Sequence, residues 1–358
     1  MNHKKRTQTV LQLLENENAD WFFVHHLPNV RYLSGFTGSS AALLISLEKQ
    51  YILTDGRYQE QVIREAPDYT PIIQGKRKLW EAAKDELGEL SSSTVWFESE
   101  HCSFARFEEM QKNLPAKEYI GKKEIVENLR SVKDEEEIEI VRKALSIAEI
   151  ALYKALDSIK ENMTERELAH ILEDEMWRLG AAKESFESLV LFGERSSLCH
   201  GKPSERKLRR GDAVLMDFGC VVDGYCSDIT RIVFFGQPSD RYKDVYQCVL
   251  QANQAAEAKI KAGIHGKDAD EFAREVVRAA GWEAQFVHGL GHGVGLEVHE
   301  APRLSYLAEG ELQAGNVATI EPGIYIENFG GVRIEDMAVI RENGCEILNR
   351  TPKEMMIL

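Results

Sequence analysis

Several common features are missing from this 358-residue chain. No stretch approaches the roughly 18 apolar residues of a membrane span, and "AALLI" is typical of its longest runs. The opening "MNHKKRTQTVLQLLENENADW" begins with positive charge but lacks the apolar core of a secretory signal. No compact basic stripe exists, and a formal charge of −15 opposes a phosphate backbone. Neither a nucleic acid nor a membrane is expected as a partner. Six cysteines (Cys102, Cys199, Cys220, Cys226, Cys248 and Cys345) are scattered without a C-x-x-C pair. In a chain this large they read as reduced thiols of a cytoplasmic protein.

What is present suits a globular protein, with 43% hydrophobic and 29% charged residues. The length exceeds one ordinary core, so two domains are expected. Residues 1–125 alternate short apolar runs with polar helical stretches. "WFFVHH", "AALLIS", "YILT", "YTPIIQ" and "TVWFES" read as strands. "DGRYQEQVIREA", "KLWEAAKDELGEL" and "SFARFEEMQKNL" read as helices between them. The pattern is that of an α/β domain.

The texture changes in residues 126–358. From Ile138 the apolar positions Val141, Leu145, Ala148, Leu152, Ala155 and Ile159 recur in steps of three and four, which predicts a long amphipathic helix. Thr164 with Glu167 forms a capping box for a second helix, closed by Gly180. Strands follow in "AVLMDFG" and "SDITRIVFF". A helix from about Asp240 to Gly263, another from Asp268 to Gly281, and strands in "NVATIEPGIYI" and "VRIEDMAVI" repeat that order. Two helices followed by β structure, twice, suggest a duplicated unit with approximate two-fold symmetry.

"HGLGHGVGLEVHE", His288 to Glu300, gathers three of the ten histidines among four glycines. Histidine is the commonest transition-metal ligand and the usual acid–base group near neutral pH. Other ligands are available. In "LMDFGCVVDGYCSDITR", Asp223-Gly224 is a favoured two-residue hairpin turn. With that turn Asp217 faces Thr230 and Asp228 faces Gly219, so Asp217, Asp228 and Thr230 share a sheet face. The flanking residues belong to a buried sheet, where two like charges need a cation. Two exposed aspartates on a surface hairpin are the alternative. Glu321 in "IEPGIYI" and Glu335 in "GGVRIEDMAVI" likewise interrupt apolar strands. Arg333 shares the face of Glu335, so a buried Arg–Glu pair is the bland reading there. Four carboxylates and an imidazole at the symmetry axis exceed what one dication uses well, whereas two metals can share them. The carboxylate-rich set favours Mn²⁺ or a similar first-row ion.

These segments, with "NVRYLSGFTGSS" and "TDGRYQEQ" in the first domain, closely resemble the Xaa-Pro peptidases (prolidase and aminopeptidase P) of the creatinase and methionine aminopeptidase superfamily. The resemblance implies a creatinase-like α/β N-terminal domain and an α+β pita-bread catalytic domain with pseudo-two-fold symmetry. Its five metal-ligand positions fall on Asp217, Asp228, His292, Glu321 and Glu335, with Asp228 and Glu335 shared between two divalent ions. Mn²⁺ is expected, with Co²⁺ and Zn²⁺ as alternatives. Glu321 would also shuttle a proton. His200, in "CHGKPS", would stabilise the tetrahedral intermediate; His299 would contact the substrate near the scissile bond, and His288 would be a further active-site histidine. By this reading the glycines let the chain wrap close to the substrate.

Phe186 matches a position lining the proline pocket, the alternative being a core phenylalanine. Tyr225 is either a donor behind the site or a hairpin aromatic. Cys199 stands where relatives usually have proline. A mononuclear zinc site on His288, His292 and His299 is disfavoured because glycine follows His288 and the third spacing is wrong. Intact ligands argue against a non-peptidase hydrolase or binding protein built on this fold, and the long first domain argues against methionine aminopeptidase. A homodimer is implied. The choice between dipeptidase and aminopeptidase turns on carboxylate recognition. Arg333 and Arg303 are the candidates, and the compact chain favours the dipeptidase.

Overall fold

The computed structural model describes residues 1–88 and 90–358, in two compact units, Met1–Arg130 and Ser131–Leu358. The first runs α1 (His3–Asn16), β1 (Trp21–Val24), α2 (Leu27–Ser34), β2 (Ala41–Ile45), β3 (Gln50–Thr54), α3 (Gln59–Glu65), β4 (Thr70–Ile73), α4 (Leu79–Leu87), β5 (Leu90–Glu98), α5 (Phe104–Asn113), β6 (Ala116–Lys122) and α6 (Ile125–Ser131). Its strands form one mixed sheet in the order β4-β3-β2-β1-β5-β6, with β1 parallel to β5. The expected strands and helices all appear, although Glu89, within the helix expected over 78–90, lies outside the described residues.

Four elements of this unit, α1, α2, β6 and α6, were not anticipated. The α1 helix buries only Val10 and Leu14 as apolar residues, beside Arg6 and Thr7, so its stripe is too thin to detect. In α2, Pro28 sits in the first turn and Gly35 ends the helix with φ +82°, a compact unit that a period count overlooks. The β6 strand has no fully buried position and so shows weak alternation.

The second unit begins with α7 (Glu135–Ser158) and α8 (Glu165–Arg178), both opened by capping boxes. Next come β7 (Lys183–Glu184), β8 (Leu189–Phe192), β9 (Asp212–Phe218), β10 (Cys220–Val222), β11 (Tyr225–Cys226) and β12 (Ile229–Phe235). A second helix pair follows, α9 (Asp240–Glu257) and α10 (Gly266–Ala279). The remaining strands are β13 (Gly291–Gly293), β14 (Glu300–Leu304), β15 (Val317–Ile320), β16 (Gly323–Ile326), β17 (Gly330–Arg333), β18 (Asp336–Arg341), β19 (Gly344–Ile347) and β20 (Met356–Ile357). Two sheets dominate, ordered β20-β12-β9-β8 and β14-β13-β15-β18-β19.

Strand alternation divides the interior into two cores. Val214, Met216 and Phe218 of β9 join the core of α7 and α8, whereas Ala213 and Leu215 join that of α9 and α10. Period two puts Asp217 on the second face. Strand β12 behaves alike, with Ile229 and Val233 in one core and Ile232 and Phe234 in the other. No helix among the described residues is long and apolar enough to cross a membrane.

Candidate active site

The hairpin after β9 has the register its turn residues imply. Asp223 and Gly224 have φ of +45° and +83°, as a two-residue turn with the right-handed strand twist requires. Asp217 pairs with Thr230 and Phe218 with Ile229, while Val222 pairs with Tyr225 across the tip. The same register sets Asp228 opposite Gly219. Tyr225 is turned away and donates to Glu137 Oε1 at 2.7 Å, tying the hairpin to the first turn of α7.

Both glutamates lie where strands break, a departure from the continuous strands expected. Glu321 falls between β15 and β16, and its amide donates to Leu290 O (2.8 Å). Glu335 falls between β17 and β18, and its amide donates to Thr230 O (3.2 Å). Leaving the ladder lets each carboxylate turn toward the hairpin. Asp336, one residue on, points elsewhere and pairs with Arg231 (2.6 Å) and Lys353 (2.5 Å).

His292 occupies the middle of β13, between β14 and β15. Here the glycines have a different reason from the one expected. A Cβ on Gly291 would lie 2.1 Å from Thr319 O, and one on Gly293 2.1 Å from Ala301 O. They permit close packing against neighbouring backbone more than close approach to a ligand. His292 Nδ1 faces Gly293 O at 3.1 Å. Its Nε2 is left 3.3 Å from Glu321 Oε1 and 3.7 Å from Asp228 Oδ2.

The charges are unusual. Burial, with Glu335, Asp217 and Glu321 close by, pushes the Asp228 carboxyl well above its usual range. Burial and the charges of Glu321 and Asp217 do the same to Glu335. Burial raises Glu321 to about 7. It also lowers His292 to about 3, with His299 adding to the effect. A neutral imidazole beside two buried carboxyls, Asp228 and Glu335, and two part-buried ones, Asp217 and Glu321, suits a divalent cation. Asp217 adds a second indication, because its Oδ1 is buried without a hydrogen-bond partner. The closest grouping, Asp228, His292 and Glu335, offers donor atoms within 4.8 Å of one another. The donor set fits divalent metal.

All ten residues nominated from the sequence border one cavity of about 590 Å³. Phe186 is half-buried in its wall, while His200 and His299 are exposed at it. The His299 ring lies edge-on to His292 at 4.3 Å.

Two nominated residues turn out to be occupied. His288 has Nδ1 2.7 Å from Gly289 O and Nε2 2.9 Å from the Tyr325 hydroxyl. It therefore supports Tyr325 rather than presenting a proton to the cavity. Arg333 is buried and donates through Nε to Thr230 Oγ1 (2.9 Å), through one terminal nitrogen to Tyr325 (2.6 Å) and through the other to Asp217. Its fork is spent inside the protein, which disfavours it as a receptor for a substrate carboxylate. Arg303, exposed on β14 and bordering the cavity, is the freer guanidinium.

Tyr325 and Thr319 were missed. Thr319 Oγ1 accepts from the His292 amide (3.0 Å) and donates to Glu321 Oε1 (3.1 Å). Period two offered a signal for both, since Thr319, Glu321, Gly323 and Tyr325 alternate along one segment. Cys199 also borders the cavity, and burial raises its thiol pKa.

Comparison with known proteins gives concordant results. Residues 139–342 match the model of metallopeptidase family M24, and residues 6–132 match the Creatinase/Prolidase N-terminal domain. A Xaa-Pro dipeptidase of Pyrococcus furiosus is 35% identical, covering 99% of this chain and 100% of that protein. A solved Xaa-Pro dipeptidase from Bacillus anthracis superposes with a TM-score of 0.95 at 35% identity, covering 100% of both chains. An X-Pro aminopeptidase structure from Thermotoga maritima gives a TM-score of 0.91 at 37% identity, covering 98% of this chain and 99% of that one. The two-part fold, α/β followed by pita-bread, is that of these relatives.

Proposed function

The chain belongs to metallopeptidase family M24, and from that premise we propose that it is a Xaa-Pro dipeptidase acting with two Mn²⁺ ions. Peptidase activity and divalent metal binding come with the family. The observation that supports the metal count is the convergence of four carboxylates, three of them with raised pKa, on one neutral imidazole. In this reading Asp217, Asp228, His292, Glu321 and Glu335 hold the ions, with Arg333 and Thr230 fixing the carboxylates. When bound, such ions polarise the scissile carbonyl and make an attacking water more acidic.

The chain's own groups supply the rest. Glu321 takes a proton at its carboxylate and returns it to the leaving prolyl nitrogen. His200 and His299 reach the substrate from the cavity wall and donate to the oxygen that gains charge. Phe186 packs against the proline ring. Arg303 receives the free carboxylate one residue beyond the scissile bond, where a guanidinium fork makes two parallel hydrogen bonds. The dipeptidase relatives, aligned over nearly the whole chain, favour this choice. The Thermotoga aminopeptidase favours the second reading, a Xaa-Pro aminopeptidase. We further propose a homodimer in which "GFTGSS" of one subunit approaches the substrate bound to its partner.

The deciding experiment compares kcat/KM for a Xaa-Pro dipeptide, its C-terminal amide and a Xaa-Pro-Xaa tripeptide. Loss of a charge-assisted pair costs about 1.5–3 kcal/mol, so the amide is expected to be cleaved roughly ten- to 150-fold less well. The penalty should shrink in Arg303→Gln and persist in Phe186→Ala. Equal or better cleavage of the amide and tripeptide would assign the aminopeptidase reading instead.

A further inference from the structure

We propose that the first unit carries a metal site of its own, in which His26, His101 and Glu127 bind a transition-metal dication such as Zn²⁺. Strands β1 and β5 are parallel neighbours, and their carboxyl ends point the same way. Ligands gather beyond the carboxyl ends of parallel strands. The chain leaving β1 presents His26, the turn after β5 presents His101, and α6 brings Glu127 to the same point.

Their donor atoms all lie within 4.8 Å of one another. His101 Nε2 is 2.9 Å from Glu127 Oε1, and His26 Nδ1 is 4.0 Å from it. Tetrahedral zinc with bonds of about 2.0–2.1 Å separates its ligand atoms by roughly 3.4 Å, between those two values. The imidazole rings stack at 3.7 Å with an interplanar angle of 4°. Parallel rings cannot aim at one ion, so each must turn about its terminal torsion. Both side chains are partly exposed, at 18% and 30%, and both line a cavity.

The surroundings are already arranged. Asn29 Nδ2 donates to Glu127 Oε1 (2.5 Å), and Arg130 donates to Asn29 Oδ1 (2.8 Å), which fixes the carboxylate from behind. His25 Nε2 lies 2.8 Å from His101 O and pins the turn. His26 and His101 also border a cavity of about 530 Å³, which leaves room for a fourth ligand. Two imidazoles and one carboxylate select borderline ions such as zinc over the harder ions suited to the central carboxylates.

The test uses the full-length protein loaded with Mn²⁺, dialysed against Zn²⁺ and assayed for bound metal and peptidase activity. Wild type should hold one more zinc per chain than His101→Gln or Glu127→Gln. All three should keep the same Mn²⁺-dependent activity before zinc is added, which also reports that the variants are folded. Cu²⁺ in place of zinc should show two nitrogen ligands by electron paramagnetic resonance, reduced to one in His26→Ala. Equal zinc counts in wild type and both variants would overturn the proposal, as would zinc lost only when Asp228 or Glu335 is replaced. Because the count is taken apart from activity, its failure leaves the reading of the catalytic unit untouched.

Discussion

Thr230 and Glu335, 105 residues apart in the chain, are joined by a 2.6 Å hydrogen bond in which the Thr230 hydroxyl donates to Glu335 Oε2. The same hydroxyl accepts from Arg333 Nε at 2.9 Å. One small side chain thus aligns a carboxylate and places the guanidinium that also donates to Asp217. Thr230→Val keeps the shape and removes both bonds. Groups behind a metal ligand typically contribute about ten- to 100-fold in metal affinity, and that loss is expected here. Competition with a chelator measures it; wild-type affinity in Thr230→Val would refute the orienting role.

The ligands and the other histidines should separate by metal content. Asp228→Asn and His292→Ala are expected to lose metal and turnover together. His200→Ala and His299→Ala should retain metal while kcat/KM falls by roughly 10²–10⁴-fold, the range for a lost acid–base or oxyanion partner. Metal analysis beside steady-state kinetics distinguishes the groups. If His299→Ala lost metal as His292→Ala does, its assigned role would be wrong.

The metal-free protein should lose stability as pH rises. Glu321 has an ordinary value of 4.5 and is raised to about 7 in the fold, while Asp228 and Glu335 are raised as well. Below about pH 3.8, the ordinary value of Asp228 and the lowest of the three, these carboxyls are mostly protonated in folded and unfolded chains alike and impose little penalty. Between that value and the folded pKa, the unfolded chain has released protons that the folded chain still holds. Stability therefore falls with each step upward in pH and levels off once the folded groups ionise. Bound cations remove the cost, so the gap in thermal midpoint between Mn²⁺-loaded and chelated protein should widen from pH 5 to pH 8. A gap that stays constant or narrows would contradict the electrostatic account.

The proposed dimer has its own outcome. Light scattering at assay concentrations should give twice the chain mass, and shortening "GFTGSS" should raise KM without reducing bound Mn²⁺. A fully active monomer would rule out the contribution of the partner.

Local chemistry made some of this protein legible from its residues alone. The Asp223-Gly224 turn fixes a two-residue hairpin, and period two then forces Asp217, Asp228 and Thr230 to one face whatever surrounds them. The capping box at Thr164 marks the start of α8 for the same reason, since its partner Glu167 lies within one turn. Tertiary structure decided whatever depended on distant partners. A strand pattern could not reveal that the chain leaves its ladder at Glu321 and Glu335, because those breaks answer to the backbones of Leu290 and Thr230. Nor could it show that Arg333 is consumed by Thr230, Tyr325 and Asp217, or that Asp336 turns to Arg231 and Lys353. His26, His101 and Glu127 come from three segments whose meeting depends on which strands of the sheet are neighbours. Hydrogen bonding along a strand is local and periodic, whereas the convergence of charged side chains is set by long-range packing, which has no period to read.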